Sequence, residues 1–292
     1  MGLRTAVIRR WLRPLSCLKK RIRMKKLFLD VAIEAAKASG RIQKKYLCKN
    51  HHIVYKGEPT NLVTDVDHRC EKRIISLIRE HFPGHGFLAE EGGESHTASG
   101  YRWIIDPLDG TTNYAHRYPF FATSIALESD GEIILGVVFD PIRDELFTAR
   151  KGKGAYLNGR KIFPSKTAGL EGSFLSTGFP YDVKKTGQNI QPFNQFVLQA
   201  QAVRRDGSAS LDLCYTAMGR FDGFWEFSLA PWDMAAGSLI LKEAGAKVTL
   251  TSGKAFSIYK GDVLASNGRI HSDMARVLKR SQSYQRVNFH SP

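Results

Sequence analysis

Two carboxylates three positions apart, Asp106 and Asp109, stand directly before Gly110 and Thr111. Carboxylates at this spacing repel each other unless a cation lies between them. Ligands that are all oxygen select a hard ion, and Mg²⁺ is the first choice. If a helix begins after Asp109, its free backbone N–H groups attract an anion, especially phosphate. The segment therefore predicts a magnesium site beside a phosphate cradle.

Other acidic residues occupy similar places along the chain. Glu90 and Glu91 follow a short apolar stretch, and Asp233 lies at an apparent helix start. Convergence of these acids on one rim favours a metal cluster. A purely structural interpretation stays open, in which Asp106 begins a turn and Asp109 caps a helix.

The sequence lacks the motifs of several other chemistries. The spacing Asp-x-x-Asp differs from the Asp-x-Asp of an aspartyl nucleophile, and neither the Gly-x-x-x-x-Gly-Lys-Ser/Thr loop nor the Gly-x-Ser-x-Gly elbow occurs. The cysteines show no paired spacing: Cys17, Cys48, Cys70 and Cys214. This pattern indicates reduced thiols and predicts a cytoplasmic location.

Strands and helices must alternate to position these residues. Apolar residues at three-to-four spacing predict a helix from Leu27, and cap chemistry at Thr64 predicts a second helix. Trp103–Ile105 is typical of a strand, with Pro107 expected to end its ladder. Further strands are predicted over Ile133–Phe139, Glu145–Ala149, Gly223–Phe227 and Val263–Ala265, and further helices over Leu211–Met218, Trp232–Ala244 and His271–Lys279. Mixed sheets layered with helices are the expected architecture.

The net charge of +15 is concentrated at the N-terminus. Ten of the 43 Lys and Arg residues lie within residues 1–26, which contain no acid, so the rest of the chain carries 33 bases against 28 acids. Basic residues interrupt every apolar run here, which argues against a secretory signal. A disordered tail, a start at Met24, a basic amphipathic helix on a membrane or nucleic acid, and an organelle transit peptide all fit.

Several segments together resemble the inositol monophosphatase family, within the fructose-bisphosphatase-like superfamily. The first signature, Asp-Pro-Leu-Asp-Gly-Thr, stands at Asp106–Thr111, and the second, Trp-Asp-x-Ala-Ala-Gly, stands at Trp232–Gly237. Between them, Asp140–Ala155 and Arg220–Glu226 are similar to bacterial inositol-1-monophosphatases. The resemblance runs from about residue 25 to about residue 280 and implies an α+β fold, a layered αβαβα sandwich.

The resemblance also implies roles for individual residues. Two or three Mg²⁺ ions per site would be held by Glu90, Asp106, the Leu108 carbonyl, Asp109 and Asp233. Glu90 and Thr111 would position the attacking water, with Asp67 behind Thr111 and Lys56 on a nearby loop. The substrate would contact Gly110, Thr111, Gly207, Ser208, Ala209, Glu226 and Asp233. Two positions depart from the family pattern, since Asn61 replaces a common acid and the basic N-terminus has no counterpart.

The activity implied is Mg²⁺-dependent hydrolysis of myo-inositol 1-phosphate and similar polyol phosphates by a metal-activated water, with sensitivity to lithium. Histidinol phosphate, a 3′-phosphoadenosine nucleotide and fructose 1,6-bisphosphate are the alternative substrates. A homodimer is implied, and some bacterial relatives also act as partners of the transcription or RNA machinery. We expect a disordered basic extension over residues 1–24, an α+β half over 25–165 with most metal ligands, and an α/β half over 166–285 that closes the site.

Overall fold

The computed structural model describes the backbone of residues 15–95 and 99–288 and the side chains of residues 27–95 and 99–281. Its architecture is an α+β sandwich of alternating helical and sheet layers. Within the described part of the chain, no helix has both the length and the apolarity that a membrane span requires.

The larger sheet contains eight strands from the first half of the chain. Its order is β10-β9-β8-β7-β6-β5-β3-β4, and all neighbours are antiparallel except β3 and β5. The strands are β3 (Gly86–Ala89), β4 (Gly93–Ser95), β5 (Tyr101–Asp109), β6 (Ala122–Ser129), β7 (Glu132–Asp140), β8 (Glu145–Arg150), β9 (Ala155–Leu157) and β10 (Arg160–Lys161). A separate hairpin precedes this sheet and consists of β1 (Ile53–Tyr55) and β2 (Leu62–Thr64).

The smaller sheet contains five strands in the order β12-β11-β13-β15-β14. Strand β11 is parallel to both of its neighbours, and the other pairs are antiparallel. The strands are β11 (Phe174–Thr177), β12 (Ala202–Arg204), β13 (Gly223–Phe227), β14 (Lys247–Thr249) and β15 (Asp262–Ser266).

Helices cover both faces of each sheet. They are α1 (Leu15–Tyr46), α2 (Asp65–His81), α3 (Thr111–Ala115), α4 (Val183–Thr186), α5 (Ile190–Val197), α6 (Ala209–Met218), α7 (Pro231–Glu243) and α8 (His271–Asn288). Helices α1 and α2 pack on the outer face of the large sheet, α6 and α7 lie between the sheets, and α5 and α8 cover the small sheet.

Alternation of side chains along the strands builds these layers. In β5, Trp103 and Ile105 face α1 and α2, whereas Ile104 faces the layer between the sheets. In β15, Leu264 packs toward the outer core of the small sheet, while Val263 joins the layer between the sheets. Each sheet is therefore apolar on both faces, which requires helices on each side.

The helices and strands predicted from the sequence are present, with two differences. Pro107 does not end its strand, because β5 continues to Asp109 through a register shift that begins at Asp106. A proline has no N–H to donate, and a bulge is a place where a strand tolerates one. Helix α1 begins at Leu15 rather than Leu27, while residues 1–14 of the basic extension lie outside the described residues. The division of the chain at residue 165 stays a prediction.

Candidate active site

The bulge in β5 places Asp106 at the bottom of the site. One of its oxygens, Oδ1, accepts the Leu108 N–H at 2.9 Å, and the residue is almost fully buried. The neighbouring Pro107 carbonyl accepts three side-chain hydrogen bonds, from Ser39 Oγ at 3.2 Å, Gln43 Nε2 at 2.8 Å and Thr123 Oγ1 at 3.1 Å. These donors satisfy a carbonyl that the bulge removes from the ladder, so they fix the backbone that carries Asp106.

Asp109 is held from the other half of the chain. Its Oδ2 accepts hydrogen bonds from Ser208 Oγ at 2.7 Å, from the Ser210 N–H at 2.7 Å and from Ser210 Oγ at 2.5 Å. Ser208 and Ser210 flank the first residue of α6, so this carboxylate binds the start of that helix. Ser208, predicted to contact the substrate, therefore has its hydroxyl directed to Asp109.

Two further acids approach from separate elements. Asp233 lies in the first turn of α7, where its Oδ2 accepts the Ala230 N–H at 2.7 Å. Glu90 follows β3, and its own N–H donates to the Ile105 carbonyl at 3.2 Å. The ends of two adjacent strands and the start of a helix thus bring these acids to Asp106.

The four carboxylates interact electrostatically. Burial raises the pKa of Asp106 well above its usual range, and Glu90, Asp109 and Asp233 raise it further. Burial also raises the pKa of Glu90 to about 7, with added repulsion from Glu91 and Asp67 that Lys56 offsets. Burial also raises the pKa of Asp233 well above its usual range, and repulsion from Asp109 and Glu90 raises it further. A cluster of this kind is destabilised by its own charge unless a cation joins it.

The donor set fits a hard divalent ion. It consists of carboxylate oxygens supplied by Glu90, Asp106, Asp109 and Asp233, together with the Leu108 carbonyl. As these side chains stand, no three Asp, Glu, His or Cys residues of the described ranges form a group that could hold a metal ion. The acids are therefore electrostatic neighbours that do not form a closed ligand group among the described residues.

Lys56 supplies a cation beside Glu90 and Glu91. Its Nζ lies 3.2 Å from Glu90 Oε1 and also contacts Glu91 Oε1. Burial alone lowers the pKa of Lys56, but Glu90 and Glu91 raise it above its ordinary value. The lysine extends from the loop between β1 and β2, in which Gly57 adopts a positive φ of 80°.

Thr111 and Asp67 form a hydrogen-bonded pair beside the acids. Thr111 Oγ1 lies 2.9 Å from Asp67 Oδ1 and 3.0 Å from the Leu108 carbonyl. The other oxygen of Asp67 accepts both the N–H and the hydroxyl of Thr64, at 2.9 and 2.6 Å, which completes the capping box of α2. Because Thr64 holds the other oxygen of Asp67, the position of the Oδ1 acceptor beside the Thr111 hydroxyl is defined.

Gly110 is required by close packing at the start of α3. Its φ is 97°, and an added Cβ would lie 3.0 Å from the Phe120 carbonyl oxygen and 3.1 Å from that of Gly207. Both the left-handed conformation and the contacts exclude a side chain. The Gly110 and Thr111 amides, at the first residues of a helix, are therefore free to face an anion.

A cleft opens from these residues toward the second half of the chain. Its lining includes the predicted residues Asp109, Gly110, Thr111, Gly207, Ala209, Glu226 and Asp233. Burial raises the pKa of Glu226 to about 8, and Asp109 adds to this while Arg205 opposes it. A Cβ on Gly178 would lie 2.0 Å from Glu226 Oε1, so the carboxylate packs directly on that backbone.

Several residues of the site were missed from the sequence. Ser39 and Gln43 lie four positions apart on the buried face of α1, and polar residues among the alanines of that face were a usable signal. Thr123 and Ser210 gave no such signal, because their partners are distant in sequence. The segment Gly178–Tyr181, which lines the cleft, was also missed.

Comparisons with known proteins agree with this geometry. The sequence pattern of the inositol monophosphatase family matches residues 24–283. An inositol-1-monophosphatase of Synechocystis sp. is 43% identical over 253 residues, covering 86% of this chain and 88% of that protein. The Nus factor SuhB of Pseudomonas aeruginosa is 42% identical over 246 residues, covering 82% and 91%. The solved inositol monophosphatase from Anabaena superposes with a TM-score of 0.80 at 43% identity, covering 87% and 96%. The chain therefore belongs to the inositol monophosphatase family.

Proposed function

We propose that the protein is a Mg²⁺-dependent phosphomonoesterase that hydrolyses myo-inositol 1-phosphate and similar polyol phosphates to the alcohol and inorganic phosphate. The observation that carries the proposal is that the buried acids Asp106 and Asp109 interact electrostatically with Glu90 and Asp233, beside the Thr111–Asp67 pair and a cleft that Glu226 also lines. The name of the Synechocystis relative supports inositol phosphate as the substrate.

Two or three Mg²⁺ ions would be held by Glu90, Asp106, the Leu108 carbonyl, Asp109 and Asp233. Bound there, they would neutralise the phosphate and lower the pKa of a water molecule. The hydroxyls of Ser208 and Ser210 bind Oδ2 of Asp109, and the Ala209 N–H also donates to that carboxylate. In Asp233, Oδ2 accepts the Ala230 N–H.

The chain's own residues orient the reactants. The free amides of Gly110 and Thr111 bind phosphate oxygens. When the Thr111 hydroxyl donates a hydrogen bond to Asp67, its oxygen can accept a hydrogen bond from one O–H group of the attacking water. Glu90 accepts a hydrogen bond from the other O–H group and takes that proton as the new O–P bond forms, and the departing alkoxide takes a proton from solvent. The water's lone pair then faces the phosphorus, in line with the leaving alcohol. Glu226 accepts hydrogen bonds from the hydroxyl groups of that alcohol.

A substrate panel tests the proposal. Phosphate release is measured from myo-inositol 1-phosphate, histidinol phosphate, a 3′-phosphoadenosine nucleotide and fructose 1,6-bisphosphate, with Mg²⁺ and then with a chelator. We expect the highest kcat/KM with inositol phosphate, loss of activity with the chelator, and inhibition by lithium. A higher kcat/KM with another substrate would replace the substrate assignment, and full activity without divalent ions would contradict the mechanism.

We propose an additional contact with RNA or RNA polymerase through the basic extension. Ten Lys and Arg residues and no acid lie within residues 1–26, and the Pseudomonas relative is named a Nus factor. Such a segment binds phosphate backbones in a salt-dependent way. Binding of RNA and of polymerase by residues 1–292 and by residues 24–292 is compared at two salt concentrations. Equal binding by both forms, or by neither, contradicts this role for the extension.

We propose that the enzyme works as a homodimer in the cytoplasm. The resemblance to the family supports the dimer, and the unpaired cysteine spacing supports a reducing compartment. Light scattering coupled to size-exclusion chromatography tests the mass, and a monomer at micromolar concentration would contradict the dimer.

A further inference from the structure

The segment Gly178–Tyr181 forms one wall of the cleft, and three anchors hold it in place. Asn189 Nδ2 donates to the Gly178 carbonyl at 2.6 Å, and the Phe179 ring packs edge-on against Phe193 at 5.5 Å between centroids. Thr60 Oγ1 donates to the Tyr181 carbonyl at 2.7 Å. The position of Tyr181 is therefore defined from both halves of the chain.

Tyr181 lines the cleft together with the acids and with Glu226. The side chain is 52% exposed, yet it lines the same cleft as Asp109, Asp233 and Glu226. Partial desolvation at the cleft wall raises the pKa of its phenol, and Asp233 and Glu90 raise it further, so this half-exposed side chain lies within electrostatic reach of the acids. A neutral phenol there presents an apolar ring face and a hydrogen-bond donor to whatever occupies the cleft.

The loop that carries Lys56 is tied to the same segment. Besides the hydrogen bond from Thr60, Glu58 pairs with Lys185 in α4, just beyond Tyr181. Both ties cross between the halves of the chain. Any shift of the Tyr181 backbone is therefore passed to the loop that places Lys56 against Glu90.

We propose that Tyr181 is a specificity-determining residue that contacts the alcohol part of the substrate and selects polyhydroxylated rings over short acyclic phosphoesters. The ring packs on the C–H face of the polyol, opposite the hydroxyl-accepting Glu226, and Thr60 positions Tyr181 through its carbonyl. This inference rests on the proposed phosphatase function. It adds to that function a second wall for the leaving alcohol.

The test compares two substrates that share the phosphate and differ in the alcohol. For myo-inositol 1-phosphate, Tyr181→Ala should lower kcat/KM about tenfold or more, mainly through KM. For glycerol 2-phosphate, too short to reach the ring, the change should stay below about twofold. Tyr181→Phe, which keeps the ring, should lose only part of the discrimination. Tyr118→Phe, on a similarly exposed tyrosine outside the cleft lining, is the control.

Product inhibition gives a second readout. Tyr181→Ala should weaken inhibition by myo-inositol and leave inhibition by inorganic phosphate unchanged. Thr60→Val should reproduce part of the KM effect, and Thr60→Ser should restore it. If Tyr181→Ala loses kcat/KM equally for both substrates, or stays active with an unchanged ratio between the two kcat/KM values, this inference is overturned and the proposed function still stands. A wild-type protein that releases phosphate from neither substrate would overturn the proposed function and this inference with it.

Discussion

At the scale of single residues, the candidate site contains acids whose carboxylates also accept hydrogen bonds at the start of a helix. Asp109 and Asp233 each use Oδ2 to bind backbone or hydroxyl groups of a helix start. The same side chain therefore stabilises a helix and offers an oxygen to the cleft. The cap that the sequence allowed, at the helix after Asp109, is not formed: Gly110 is the N-cap of α3, and the Asp109 carboxylate binds the start of α6.

Replacing Asp233 with Asn should lower kcat at least about 100-fold, because an amide keeps an oxygen to cap α7 but loses the charge that a divalent ion requires. Circular dichroism and the unfolding midpoint should change little. Asp273→Asn is a matched control, since Asp273 also lies in the first turn of a helix but outside the cleft lining. Near-full activity of the Asp233 variant would remove this residue from the site.

Thr111 offers a second test at this scale. Thr111→Val removes the hydroxyl that Asp67 orients and should lower kcat roughly 100-fold with a small change in KM, because the water loses its alignment. Thr111→Ser keeps the hydroxyl and should recover most of the loss. If the valine variant keeps its kcat, the water is positioned by other groups.

At the scale of elements, the sequence predicted the strands and helices that carry the acids but not the supports of the bulge. Glu90 and Asp106 were predicted from apolar runs that end in acids, and Asp233 from an apparent helix start; both signals are local. Pro107 was predicted to end the strand because proline has no N–H to donate. This signal is also local. The hydrogen bonds from Gln43 and Thr123 to its carbonyl come from α1 and β6. A polar Gln43 on an alanine-rich face indicates a buried partner, but no local pattern says which group that partner is.

The contact between β7 and α7 depends on one glycine. A Cβ on Gly136 would lie 2.7 Å from the Ala236 carbonyl oxygen, which is backbone and cannot move aside cheaply. We expect Gly136→Ala to lower the free energy of unfolding by about 1–3 kcal/mol in urea titrations. Gly169→Ala, where an added Cβ meets no atom within 4 Å, should change it by less than about 0.5 kcal/mol. Equal effects of the two substitutions would contradict the packing argument.

At the scale of the whole molecule, stability should fall in mild acid through His271. The imidazole is buried between Ser266 Oγ at 2.9 Å and Thr249 Oγ1 at 3.0 Å, and burial together with Lys247 lowers its pKa to about 4. The unfolded chain binds this proton near pH 6.5, so the stabilisation is present above that pH and is lost toward pH 4.

When the pH is lowered from about 7.5 to about 5, this residue should reduce the free energy of unfolding by about 2 kcal/mol. Urea titrations at both pH values measure it as the difference between the wild type and His271→Gln, which has no titrating ring. Other groups titrate in both proteins and cancel in the difference. Parallel losses in the two proteins would show that His271 does not control the acid limb.

The hydrogen bonds between Asp109 and the start of α6 join the candidate active site to the helical layer between the two sheets. Disengagement of that layer would release the acid, and removal of the acid would weaken the layer. Thermal inactivation should therefore coincide with separation of the two sheets, not with fraying at the outer helices. The candidate active site and the helical layer between the sheets should therefore be lost in one unfolding step.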